Sequence, residues 1–175
     1  MKRSKKIILI TLSLLVLDLI LTLYFINNYN HLVSEGNPLV LVDNGIWVIV
    51  VNLVYLVIII FLVRALDKYE TIYLKSNSVF DYIKKLYKSD HYKFILISVI
   101  FSFVYATIIS RLIVVIDWLI FGIYKSNFFH TTYYLVRKQM PLYRYDILLG
   151  LCSFFVCIPL WYILEYRKVK EKING

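Results

Sequence analysis

Asp18, Asn52 and Arg111 are polar residues set inside long apolar runs, and they are the first candidates for chemistry in this chain. At 1.5 Å per residue, Asp18 lies roughly 17 Å from the start of its run and Arg111 roughly 25 Å along its own. Asn52, on a run of opposite direction, falls near the height of Asp18. An isolated charge at such depth in a bilayer costs at least roughly 2.5–3.5 kcal/mol, so a carboxylate and a guanidinium there require partners. The simplest expectation is a polar cluster of Asp18, Asn52 and Arg111 that ties three helices together, with Thr22 one turn beyond Asp18 on the same face. The alternative use is a proton or ion step at Asp18. Conduction needs a chain of such groups, and the half of the bilayer nearer the first residues holds none.

A second set has metal-binding residue types. His31 and Glu35 are four apart, and Asp43, Asp117, His130 and Asp146 all fall toward the same membrane face. Imidazole with carboxylate suits a divalent ion, but this spacing within one loop is not diagnostic, and a solvated loop is the competing reading. Other catalytic patterns are missing. There is no G-x-S-x-G, H-E-x-x-H or C-x-x-C string and no phosphate-cradling glycine loop. His31, His91 and His130 all lie in loops, so no apolar run offers an axial haem ligand. Cys152 and Cys157 stand about 140° apart around a helix and read as ordinary apolar packing. No catalytic residue and no cofactor is expected.

The elements that position these residues follow from composition. Hydrophobic residues make up 61% and charged residues 18%, with a mean hydropathy of +0.72, well outside the soluble range. Four apolar runs, 7–25, 46–63, 94–124 and 147–164, are long enough to cross a hydrocarbon core of roughly 30 Å. The expected fold is an all-α, four-span membrane protein. It divides into an N-terminal transmembrane hairpin (1–63), a cytoplasmic helical segment (64–93), a C-terminal transmembrane hairpin with an aromatic outer loop (94–164) and a basic tail (165–175).

The formal charge is +9, and its distribution argues for a membrane rather than nucleic acid. Lys2, Arg3, Lys5 and Lys6 abut the first run, seven basic residues lie between 64 and 93, and four more follow the last run. Segment 27–45 has no basic residue and carries Glu35 and Asp43. This positive-inside asymmetry places both termini in the cytoplasm of a cell with the chain in its plasma membrane, although 125–144 dissents with four basic residues. The first run is too long for an ordinary signal peptide and reads as a retained signal anchor. Tyr24, Phe25, Trp47, Trp118, Tyr124, Trp161 and Tyr162 fall where interfacial aromatic belts are expected. Abundant Ile, Lys and Tyr beside two alanines, Ala65 and Ala106, point to an AT-rich, archaeal genome.

Within 64–93 the second helix is expected to continue, since Leu62, Leu66, Tyr69 and Tyr73 keep a helical stripe. "SNS" at 76–78 breaks it, and Ser78 then caps a new helix with Asp81 three residues on. Phe80, Ile83 and Tyr87 would form its apolar face, with Lys84, Lys85 and Lys88 toward anionic lipid of the inner leaflet or a partner subunit. The third run as one helix would measure roughly 46 Å, so it tilts or projects beyond the bilayer and carries Asp117 to the interface. The aromatic and basic stretch after it reads as an outer segment in the headgroup region or over a neighbouring protein. Pro159 frees the Phe155 carbonyl and bends the last helix.

Asp18, Thr22 and the following "SEGNPL", with Glu35, Asn37 and Pro38, form a D-x3-T…E-x-N-P pattern. This resembles the small prokaryotic membrane proteins of domain-of-unknown-function family 5658, over about residues 14–63. The resemblance implies a small helical membrane bundle and carries no activity. The chain departs from it in a longer first outer loop, the 64–93 segment and the long third run. Independently, Asn37-Pro38 starts a turn that would let Glu35 and Asn37 fold over the outer end of the first helix.

The expected role is a non-catalytic accessory, scaffold or assembly subunit of a larger membrane complex, a redox complex among the kinds considered. Its partners would be the bilayer and other membrane subunits. A small transporter or proton-conducting protein using Asp18, Asn52 and Arg111 is the alternative, and a membrane enzyme with an outer metal site at His31, Glu35 and His130 is third.

Overall fold

Inside a bilayer a single apolar segment can satisfy its backbone only as a helix, and these aliphatic runs do so. In the computed structural model, residues 3–29, 46–89, 92–140 and 145–174 are described, and they form helices with no strand among them. These are α1 (Arg3–Asn28), α2 (Ile46–Asp67), α3 (Val79–Lys88), α4 (Lys93–Tyr124), α5 (Phe128–Gln139) and α6 (Tyr145–Asn174). Segments Ser4–Asn28, Ile46–Asp67, Lys93–Tyr124 and Ile147–Lys172 are long and apolar enough to cross a membrane. The chain is a multi-pass membrane protein, and its apolar helices contact lipid.

α4 is the hub. It packs against α1, α2 and α6, with the α6 contact the most extensive. Its apolar window is 44% buried, against 17% for those of α2 and α6, so these two leave most of their surface to the surroundings. The main core gathers Ile59 and Val63 of α2, Phe94 and Val104 of α4, and Trp161 and Val169 of α6. At the other end Phe25 of α1 stacks on Trp118 at 5.2 Å and meets Phe121 edge-on. Helices α1 and α4 approach closely there, since a Cβ on Gly122 would lie 3.0 Å from Phe25 Cζ. Trp161 and Tyr162 are buried too, so Phe25, Trp161 and Tyr162 are packing residues rather than belt residues. Tyr24, Trp47 and Tyr124 remain exposed, as a belt requires.

The segment after α2 departs from expectation. α2 stops at Asp67 and the chain runs without regular structure through 69–76. Its carbonyls are held by side chains instead of by a helical ladder. Tyr82 Oη donates to Ile72 O at 2.9 Å, Lys85 Nζ to Lys75 O at 2.6 Å and Tyr166 Oη to Ser76 O at 3.3 Å. Tertiary hydrogen bonds thus overrode a stripe that kept the helical period.

Ser78 caps α3 as its pattern implied, accepting from the Asp81 amide at 3.1 Å. The Asp81 carboxylate reaches back one residue further than a capping box, to the Asn77 amide at 3.1 Å, and also holds Lys85 at 2.9 Å. The Lys85 hydrogen bond, aided by that amide, pulls the Asp81 carboxyl below its usual range. The face α3 buries is Tyr82 and Leu86, packed against this chain's own α6. Phe80 is 78% exposed, Tyr87 is exposed with its ring edge-on to Phe94, and Ile83 packs partly buried against the core.

α4 is one unbroken helix of 32 residues, closed by Lys125 in the left-handed region at φ 55°. The aromatic stretch beyond it is helical over the 12 residues of α5, where a loop was expected. Its first turn opens on the Asn127 backbone carbonyl, which accepts from the Thr131 amide at 3.1 Å and from the Thr131 hydroxyl at 3.0 Å. α6 continues through Pro159.

Candidate functional site

One stripe of α1 faces α4. Ile7, Thr11, Leu14, Asp18 and Phe25 recur at helical spacing and are each at least nine-tenths buried. Asp18 is therefore aimed at protein, not lipid. There Arg111 Nη1 of α4 donates to Asp18 Oδ2, forming an ion pair that crosses between helices. Thr22 Oγ1 donates to the other carboxylate oxygen at 3.5 Å from one turn along α1. Although Arg111 starts higher than Asp18, its long side chain spans the difference. The expected pairing of Asp18, Thr22 and Arg111 is what the structure brings together.

Asn52 is a different matter. Its amide donates to Val48 O at 2.8 Å, within its own helix. A short amide in apolar surroundings saturates on the nearest free lone pair, the carbonyl four residues back. The contribution of α2 comes from Tyr55 instead. Its hydroxyl bonds to Thr107 Oγ1, which in turn donates to Phe103 O at 2.8 Å. Tyr55, Thr107, Ser110 and Arg111 share a cavity of about 360 Å³, bordered on the α6 side by Gly150 and Phe154. The intramembrane polar set is thus Asp18, Thr22, Tyr55, Thr107, Ser110 and Arg111.

Other candidates sit apart from it. Asp117 is 7% exposed, and its Oδ1 has no hydrogen-bond partner. Asn127 donates to the Asp117 backbone carbonyl at 2.8 Å, which ties the start of α5 to α4. His31, Glu35, Asn37, Pro38, Asp43 and His91 lie outside the described residues, as do the side chains of His130 and Asp146. Among the described residues no three His, Cys, Asp or Glu side chains converge to hold a metal ion. Cys152 is exposed and Cys157 buried, both as free thiols.

Two groups escaped the reading from sequence. Tyr55 carries a signal, since a tyrosine in mid-span is far from the interface where its hydroxyl would find water. Glu165 carries another, a carboxylate between the buried Trp161 and Val169 on one helical face. Its partner is Lys168, one turn on.

The arrangement around Asp18 can hold α1 and α4 in register, because both carboxylate oxygens have donors and the pair bridges those two helices. No protein-family model, curated protein or solved structure matches the chain, so these residues stand on their own geometry.

Proposed function

We propose that the chain is a non-catalytic accessory or assembly subunit of a larger membrane complex. It would sit in the plasma membrane with both termini in the cytoplasm. The observation that carries this reading is the interhelical Asp18–Arg111 pair, in which Arg111 and Thr22 supply donors to the two carboxylate oxygens. A proton or ion path would need further charged stations, yet stretches 7–17, 47–63, 94–110 and 147–164 hold no carboxylate or basic group. The surfaces that α2 and α6 leave uncovered supply what a subunit needs, broad apolar flanks beside a rigid centre. The lysines of α3 and the exposed Phe80 suit an anionic inner leaflet, and the D-x3-T…E-x-N-P pattern fits a small helical bundle of the family it resembles.

The test is purification of the full chain from its native membrane in mild detergent. A subunit is expected to emerge with one or more larger membrane proteins in fixed ratio. A chain that runs alone, and drives ion or solute flux when reconstituted in liposomes, would overturn the reading in favour of a transporter.

A further inference from the structure

The end of the bundle where α1 begins and α6 leaves the apolar region holds a second enclosed polar site. Glu165 is 2% exposed. Lys168 takes its Oε1, while Oε2 is enclosed and has no hydrogen-bond partner. The Tyr69 hydroxyl is enclosed and unpartnered as well. Both residues line a cavity of about 460 Å³, together with Trp161, Asp67, Arg167 and Lys168. The rings of Tyr69 and Trp161 stand 6.1 Å apart, inclined at 50°. Burial, reinforced by the Glu165 carboxylate, pushes the Tyr69 phenol above its ordinary range, so it remains a neutral hydroxyl. The Ile72 backbone, close to the phenol oxygen, offsets this in part.

Buried polar atoms are nearly always satisfied, and a free carboxylate oxygen is among the costliest to leave bare. An ionised carboxylate accepts only, so its missing partner is a donor, and the charge favours a cation. Two aromatic rings beside it favour the same choice through their π faces. A hard divalent metal fits less well. It would want six or more oxygen ligands, and Lys168 and Arg167 border the same space.

Asp67 and Glu171 add two further carboxylates to the lining, and its basic and apolar parts describe what the cation is attached to. Arg167 and Lys168 are exposed at the rim, where their donors match a phosphate. Ile7, Leu66, Ile97 and Leu164 continue the wall as apolar surface. An ammonium, a phosphodiester and an apolar tail in that order make an amine-bearing phospholipid.

We propose that this cavity binds the headgroup of an aminophospholipid, with its ammonium on Glu165 Oε2 and Tyr69 Oη beside Trp161 and its phosphate at Arg167 and Lys168. The inference goes beyond the subunit reading and is read on the isolated chain, so either can fail alone.

The experiment is native mass spectrometry of the full chain in detergent, titrated separately with phosphatidylethanolamine, phosphatidylcholine and phosphatidylglycerol. Phosphatidylethanolamine should be retained about tenfold better than either, the equivalent of one charged hydrogen bond. Phosphatidylcholine keeps the charge and lacks N–H donors, and phosphatidylglycerol lacks the charge. Glu165→Gln should bring phosphatidylethanolamine down to the level of phosphatidylcholine. Should that variant fail to fold, Tyr69→Phe decides, with an expected loss of about threefold in the same preference. Equal retention of phosphatidylethanolamine and phosphatidylglycerol, or a preference untouched by whichever variant folds, overturns the proposal. So does displacement of the lipid by free spermidine at equal concentration, which would make the occupant a soluble amine.

Discussion

Asp18 and Glu165 are both buried carboxylates, and each has a basic partner. Asp18 takes its partner from another helix and has donors on both oxygens. Glu165 takes its partner from one turn along its own helix and keeps one oxygen bare. The first arrangement ties elements together and gives each carboxylate oxygen a donor. The second ties nothing together and leaves one acceptor without a partner in a residue that lines a cavity. Location explains part of the contrast. Asp18 sits deep between α1 and α4, where no solvent could serve it, whereas Glu165 sits where α6 emerges and Lys168 can curl back from the rim.

The sharpest way to break this comparison is at the interhelical pair. Asp18→Ala leaves a guanidinium without its carboxylate and should cost about 3–5 kcal/mol of stability. Asp18→Leu with Arg111→Leu should recover much of that, because apolar replacement of a buried pair is often neutral or better. Thermal unfolding in detergent of the parent, both single Leu variants and the double gives the coupling energy. Strictly additive losses would remove the tether.

A smaller effect separates Tyr55 from Asn52. Tyr55→Phe deletes the hydroxyl that joins α2 to Thr107, and should cost about 0.5–1.5 kcal/mol. Asn52→Leu deletes an amide that serves only its own helix, so it should leave stability unchanged or raised. The same unfolding assay ranks them. A larger loss at Asn52 than at Tyr55 would restore Asn52 to the cluster.

The smallest effect is at an exposed carboxylate, Asp81, which shows what the pairing does where water is at hand. Its carboxyl is held below the ordinary value of 3.8 by Lys85 and the Asn77 amide. Its contribution to the start of α3 is therefore full above that ordinary value, and is lost as pH falls through the lowered one. Amide exchange at the first turn of α3 should accelerate over that acidic window, and Asp81→Asn should abolish the dependence. Protection that does not change with pH in the parent would show that Ser78 alone starts the helix.

The ion pair was legible in sequence for the reason it exists. A carboxylate in an apolar run has few affordable states, and one guanidinium in another run supplied the obvious partner. Asn52 misled because its small amide can be satisfied without leaving its helix. Tyr55 was hidden because a tyrosine counts as apolar in a run of aliphatic residues. The four spans followed from length and hydropathy. The end of α2 did not, since Leu62, Leu66, Tyr69 and Tyr73 keep the helical period, and the bonds that stop the helix come from Tyr82, Lys85 and Tyr166. Glu165 was hidden by its neighbours. Beside a basic tail it reads as solvated, and only the packing of Trp161 and Val169 onto the core makes it buried.

The dominance of the α4–α6 contact bears on how the protein is made. A ribosome delivers α1, α2 and α4 before α6, and each can enter the bilayer as it emerges. Throughout that interval the flank of α4 bearing Phe94, Ile97 and Phe101 lies open. The Ser76 carbonyl likewise waits for Tyr166, and Tyr69 for Trp161. The nascent three-span intermediate is therefore the state most exposed to insertion chaperones and membrane proteases. Arrival of α6 ends that exposure.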